Sequence, residues 1–204
     1  MSASVAKSDR RLSVPICRMI ETTARLLQHR GYHGVSLNEI LVAAEAPRGS
    51  FYFHFPGGKD QLVLDATRLS IAQTTEFLRT TLSESPDPAG ALRIFIEETA
   101  SMMAASGYTF GCPVAPLILD APGGLTDIET LCREAFEEWT GIIRDALVAA
   151  GVPAERAGTL ALMVEATHEG LFLIARAYRD TAPLMKGAGE LEAVIRAALP
   201  ENKT

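Results

Sequence analysis

The sequence predicts an all-α chain of about nine helices, three short ones followed by a set of longer ones. Apolar residues recur at spacings of three and four along almost the whole chain. No stretch combines period-2 alternation with β-branched richness, so strand signals are nearly absent. Proline, glycine and capping boxes punctuate the chain where helices should begin and end. With 48% hydrophobic and 22% charged residues over 204, the composition is that of an ordinary globule and excludes a largely disordered or fibrous chain.

The first helix is expected from about Pro15, which suits an opening turn, to Arg30, with Ile16, Ile20, Ala24 and Leu27 on one face and Gly31 as the stop. Ser36-Leu37-Asn38-Glu39 is a capping box, and it opens a short helix ending near Ala44. Pro47 opens a third, Arg48 to Phe55, which Pro56-Gly57-Gly58 terminates. From Lys59 the helices lengthen: about 59–83, then 88–106 behind an Asp87 cap, then a short piece at 113–121. After the Pro122-Gly123-Gly124 break, a second capping box at Thr126-Asp127-Ile128-Glu129 opens a helix to Ala150. Another runs from Pro153 to Tyr178, and the last covers roughly 187–199.

The charge is unevenly spread. Residues 1–60 hold eight Lys and Arg against five Asp and Glu, whereas the remainder holds eleven against twenty. A basic N-terminal quarter on an acidic chain suits contact with a polyanion there and another task elsewhere. Cys17, Cys112 and Cys132 are far apart, with no zinc-ligand spacing, so reduced thiols and no structural metal are expected. The N-terminus lacks a signal-like apolar stretch and no later run approaches the ~18 apolar residues of a membrane span, so a cytoplasmic location without membrane contact is the expectation. There is no glycine-rich phosphate loop, nucleophile elbow or His-Glu-x-x-His, hence no expected catalytic constellation or cofactor.

Three short helices within about 45 residues, the last two joined by a tight turn, form a helix-turn-helix pattern. A two-turn helix about 12 Å long can enter the major groove and present three or four side chains to base edges. Arg48, at its front, suits bidentate reading of guanine; Gly49 allows close backbone approach, and Ser50 is short enough for base or phosphate. Phe51 and Phe55 read as core aromatics, whereas Tyr52 reads as a contact residue. His54 fits a packed imidazole and a phosphate donor equally well. Arg10 and Arg11 suit a solvated tail or a minor-groove arm.

Gly31-Tyr32, Ser36-Leu37-Asn38-Glu39-Ile40 and Arg48-Gly49-Ser50-Phe51-Tyr52-Phe53-His54-Phe55 followed by Lys59 resemble the TetR family of bacterial transcriptional regulators. Gly111-Cys112-Pro113 with Leu117, and Glu169-Gly170-Leu171 through Ala175-Arg176-Ala177, look like the branch containing the lincomycin-resistance repressor. The resemblance implies a DNA-binding domain over residues 1–60 and a helical ligand-binding and dimerisation domain over 61–204. It also implies a double-stranded operator as partner and repression relieved by a small molecule. It assigns Ser36, Tyr52 and Lys59 to phosphates. Two departures stand out. Glu45 replaces a turn glycine, and the link before Lys59 is one residue longer than usual.

In the C-terminal part, the helix at 126–150 has one apolar stripe, Cys132, Phe136, Trp139, Ile143 and Leu147. The helix at 153–178 has Leu160, Val164, Thr167, Leu171, Ile174 and Tyr178 on one stripe and is apolar almost all round, so it needs cover on two sides. A second copy across a two-fold axis is the natural second cover of the homodimer, and a charge at Leu171 is expected to give monomers or insoluble protein. Phe77, Met102, Met103 and Phe110 are candidates for lining a pocket for a mostly apolar or aromatic effector, as are Trp139, Met163 and Phe172; ordinary core packing is the competing reading. Glu165 with His168 as a site for a metal or a cationic ligand is the weaker reading of that pair; an ordinary surface or interface pair is the stronger one. Cys112 supports an alternative in which the regulator senses oxidants through its thiol, against a buried inert cysteine.

Overall fold

A computed structural model describes residues 14–120 and 126–200, all helices and connections, with no strand among them. In chain order the helices are α1 (Val14–Arg30), α2 (Leu37–Ala43), α3 (Arg48–His54), α4 (Gly58–Ser83), α5 (Pro88–Ala105), α6 (Ala115–Asp120), α7 (Thr126–Ala149), α8 (Ala154–Tyr178) and α9 (Ala182–Arg196). Arg10, Arg11 and the Pro122-Gly123-Gly124 break lie outside the described residues.

The three short helices close on a core of Met19, Ile40, Phe51 and Phe55, onto which the start of α4 adds Leu62 and Val63. The capping box forms as expected: Glu39 N–H donates to Ser36 Oγ at 3.2 Å, and Ser36 N–H donates to the Glu39 carboxylate at 2.8 Å. Glu45 does adopt a left-handed turn, φ 49°, which costs a non-glycine residue on the order of 1 kcal/mol. Arg18 on α1 clasps that turn, donating to the Glu45 carboxylate at 2.9 Å and to its carbonyl at 3.0 Å. The unusual residue thereby becomes a link between α1 and the turn, and its negative charge is paired.

α4 bridges the two parts of the molecule. Its first half packs on α1 and its second half on α5 and α7, while α5, α7, α8 and α9 complete the C-terminal bundle. α9 begins five residues earlier than its sequence suggested, at Ala182, because Asp180 accepts from the Ala182 N–H at 2.9 Å and Pro183 fits the first turn. Gly187 is where α9 meets α8: a Cβ there would come within 2.1 Å of Leu171 Cδ1.

Among the described residues α8 is long and apolar enough, by length and composition, to cross a membrane, contrary to the expectation that no run reaches that size. One of its faces carries Leu160, Val164, His168 and Phe172 into the bundle.

Candidate functional site

Helix α3 divides its aromatic residues cleanly. Phe51 and Phe55, one turn apart, stack with ring centroids 5.5 Å apart inside the N-terminal core. The residues between them must then face out, and Tyr52 is 53% and Phe53 81% exposed. Arg48 and Gly49 are exposed on the same helix, and nothing lies within 4 Å of where a Gly49 Cβ would sit. Ser50 and His54 are half-buried, with His54 edge-on to Phe53 at 5.0 Å. Phe53 was not singled out from sequence, although burial of Phe51 and Phe55 at i and i+4 already excludes it from the core.

Two other sequence candidates are engaged within the protein. Ser36 Oγ, besides accepting the Glu39 N–H, donates to the Glu39 carboxylate at 2.8 Å. The bond from the Ser36 backbone N–H, and then that from its hydroxyl, hold the Glu39 carboxyl below its usual range. Lys59, displaced by the longer link with Gly58 at φ +73°, folds back over the Tyr32 ring at 4.2 Å and donates to the Tyr32 carbonyl at 2.7 Å. Burial lowers its pKa. The Tyr32 hydroxyl in turn donates to Asp60, so Lys59 belongs to a small cluster joining the α1–α2 connection to α4.

A cavity of about 270 Å³ opens between α1, α4, α5, α7 and α8. Five of the seven pocket candidates line it: Phe77, Met102, Phe110, Trp139 and Phe172. Met103 is fully buried and instead lines an adjoining cleft beside Arg176. Met163 lines neither, because it lies on the side of α8 turned away from the cavity, next to Val164, which faces it. Trp139 is fixed by its indole N–H, which donates to Thr75 on α4 at 2.9 Å. The sequence reading missed Phe95, which meets Phe77 at 5.0 Å between ring centroids, and Gln28, which brings the end of α1 to the cavity wall.

The titratable part of this wall belongs largely to α8. His168 is 7% exposed, and its ring nitrogen Nε2 lies 3.0 Å from Thr99 Oγ1; burial holds its pKa down at about 4, so it is neutral. No group of three or more metal-ligating side chains occurs among the described residues, so the Glu165–His168 pair finds no third ligand. Burial and the neighbouring Glu169 push the Glu165 carboxyl up to about 8, and burial raises Glu169 as well. Cys112 lies at the cavity edge, where burial and Glu169 push its thiol well above the usual range. Such a thiol is a poor nucleophile near neutral pH.

The raised Glu165 carboxyl has a measurable consequence. The folded chain holds a proton that the unfolded chain releases, so stability falls as pH rises from about 4.5 and the loss is complete above about 8. Glu165→Gln should flatten this part of a plot of melting temperature against pH. An equally steep fall in the variant would show that Glu165 ionises normally.

Two family models match the chain. Residues 19–66 match the bacterial regulatory proteins of the tetR family, and residues 88–190 match the C-terminal domain of LmrA/YxaF-like transcriptional regulators. An uncharacterised HTH-type transcriptional regulator of Mycobacterium tuberculosis is 31% identical over 190 residues, covering 90% of this chain and 95% of its own. The HTH-type transcriptional regulator LmrA of Bacillus subtilis is 29% identical over 172 residues, covering 82% of this chain and 89% of its own. Among solved structures, the regulatory protein TetR from Rhodobacter sphaeroides superposes with a TM-score of 0.80 at 25% identity, covering 89% of this chain and 98% of that one.

Proposed function

We infer, since the chain belongs to the TetR family of bacterial transcriptional regulators and to its LmrA-like branch, that it is a cytoplasmic homodimeric repressor whose grip on a palindromic operator is loosened by a small molecule. The boundary near residue 60 separates the two tasks, DNA binding by α1 to α3 and effector binding by the helices that follow. Arg48 reads a base edge, with Gly49, Ser50 and Phe53 against the groove floor; Tyr52, Ser36 and His54 hold phosphates. Lys59 keeps one proton on the Tyr32 carbonyl and offers the other two to the backbone.

One observation carries the reading of ligand response: the cavity is walled by both halves of the molecule. Gln28 comes from α1, and Ser70, Gln73 and Thr74 come from α4, the helix that starts directly after the recognition helix. Arg176 on α8 donates to the Thr109 carbonyl at 2.7 Å and the His29 carbonyl at 3.4 Å, a further tie between the effector domain and α1. A ligand that spreads α4 from α8 therefore changes the angle of α1 to α3 and the separation of the two recognition helices in a dimer.

The uncovered face of α8 supports the homodimer. Leu162 at 64% and Leu173 at 71% exposure lie on one stripe, diametrically opposite the buried stripe, and exposed Met185 and Val194 of α9 are apolar as well. Leu171 is not on that stripe; it packs on Gly187 within the protomer, so it is a poor probe of the interface.

The test has two stages. A thermal-shift screen finds compounds that stabilise the protein, since a ligand at 100 times its dissociation constant adds about 2.7 kcal/mol. Each hit is then titrated against a fluorescent duplex from the chain's own upstream region. Release of DNA is expected, with a coupling of about 1–3 kcal/mol that appears equally when DNA weakens ligand binding. Ligand affinity unchanged by saturating operator would contradict the mechanism. Cys112→Ser should release DNA as wild type does, in keeping with its buried, protonated thiol; loss of response in that variant would instead favour the thiol sensor.

A further inference from the structure

The aromatic lining explains why the cavity suits an apolar body, but not why two carboxyls face into it. Glu165 and Glu169, one turn apart on α8, both line the cavity, and no lysine or arginine does. Neither carboxyl has an ion-pair partner among the described residues, and Glu165 has no hydrogen-bond partner there either. Arg176, further along α8, donates to the backbone carbonyls of Thr109 and His29.

His168 adds an independent observation. Thr99 Oγ1 donates its one proton to the Ile96 carbonyl at 2.8 Å, so toward His168 it acts as acceptor, and His168 carries its hydrogen on Nε2. That leaves Nδ1 of a neutral imidazole as a bare acceptor. It makes no hydrogen bond among the described residues, yet it is not sealed off from space either. The α8 wall therefore offers acceptors, two of them able to become negative, beside a set of aromatic faces. The α1 and α4 walls add only the neutral groups of Gln28, Ser70, Gln73 and Thr74.

We propose that the effector is a lipophilic organic cation, its aromatic body against Phe77, Phe95, Phe110 and Phe172 and its protonated nitrogen donating to Glu165, with Glu169 and His168 Nδ1 as further acceptors. This rests on the ligand-responsive reading above and adds the chemical class. Aromatic faces favour a cation electrostatically, and a charge-assisted hydrogen bond to carboxylate is stronger than a neutral one. A neutral ligand of the same shape leaves both carboxyls as they were.

Binding of the cation transfers the Glu165 proton to solvent, since the ligand's positive nitrogen takes its place. Affinity therefore rises with pH up to about 8, by at most about tenfold per unit for one proton, and then levels. The titratable groups facing Glu165 are His168 and Glu169 on α8 and Cys112 on the connection between α5 and α6. No titratable side chain from α1, α4, α5 or α7 lines the cavity. His168 stays neutral through this range.

A matched pair of tricyclic probes tests the proposal on the full-length protein. 9-Aminoacridine is protonated near pH 8 and acridine is neutral there. Calorimetric titration at about pH 8 should show the cation binding about tenfold or more tightly than the neutral ring. Repetition at about pH 6 should weaken the cation with proton release detectable through buffer ionisation heats. The double variant Glu165→Gln, Glu169→Gln should bind both probes equally and lose the pH dependence; if it fails to fold, the wild-type comparison decides alone. Equal wild-type affinities overturn the cation and leave the ligand cavity standing, whereas failure of both tricycles to bind overturns both.

Discussion

Leu173→Glu, combined with Leu162→Glu, is expected to convert the protein into a soluble monomer and to weaken operator binding about 100- to 10,000-fold. Both side chains stand on the face of α8 opposite its buried stripe, so the carboxylates meet water in a monomer and meet each other across a two-fold seam in a dimer. Burying like charges in an apolar seam is unfavourable enough to split it. The loss at the operator follows from valence: a dimer that has engaged one half-site holds its second recognition helix at high local concentration over the other. Sedimentation gives the assembly state and circular dichroism the helix content, which should stay native. Leu171→Glu serves as the contrast. Its side chain fills the space left by Gly187, so it should lower the melting temperature rather than yield a folded monomer. A double variant that remains dimeric, or a wild type monomeric at micromolar concentration, would remove α8 from the interface.

Arg48→Ala is expected to cost about 1–3 kcal/mol on the operator and to relax discrimination at one position of each half-site, because a bidentate contact to guanine is lost while the scaffold is untouched. The exposed position of Arg48 makes a folding defect unexpected. Tyr52→Phe, by comparison, should weaken all duplexes by one factor, since a phosphate contact positions the helix without reading sequence. Lys59→Ala should also act uniformly, and only it should make the dependence of log K on log salt shallower, by about 0.9 for one lost phosphate contact. Because Lys59 also binds the Tyr32 carbonyl, its stability must be measured alongside. Competition with random DNA distinguishes the roles: an equal loss on specific and random duplexes upon Arg48→Ala would make Arg48 a phosphate anchor.

The N-terminal part was legible residue by residue. Ser36 and Glu39 cap α2 as their spacing requires, and Phe51 and Phe55 are buried at the one-turn interval that leaves Tyr52 outside. Glu45 was visible as an anomaly, but its pairing with Arg18 was not, because 27 residues and a turn separate the two. The extra glycine before Lys59 signalled altered geometry without indicating that the ammonium folds onto Tyr32. In the C-terminal bundle, bulky residues marked the cavity only in part. Met163 and Phe95 differ little as pocket candidates in sequence; packing put Phe95 on the cavity wall and Met163 elsewhere. Glu165 entered the sequence reading only beside His168, and Glu169 only through the branch resemblance; packing put both on the cavity wall.

What the sequence determined by itself is what each helix settles locally: where it starts and stops, through caps, prolines and glycines, and which face is apolar when only one face is. That sufficed for the all-helical class, the helix-turn-helix and the family. The tertiary structure alone decided how α8 uses its circumference. Because that helix is apolar nearly all round, periodicity names no inward face. Only the crossing of α8 with α5, α7 and α9 turns His168 and Phe172 toward the cavity, sets Leu171 on Gly187 and leaves Leu162 and Leu173 uncovered. Those angles depend on side chains tens of residues apart meeting in space, and no local pattern along one helix encodes them.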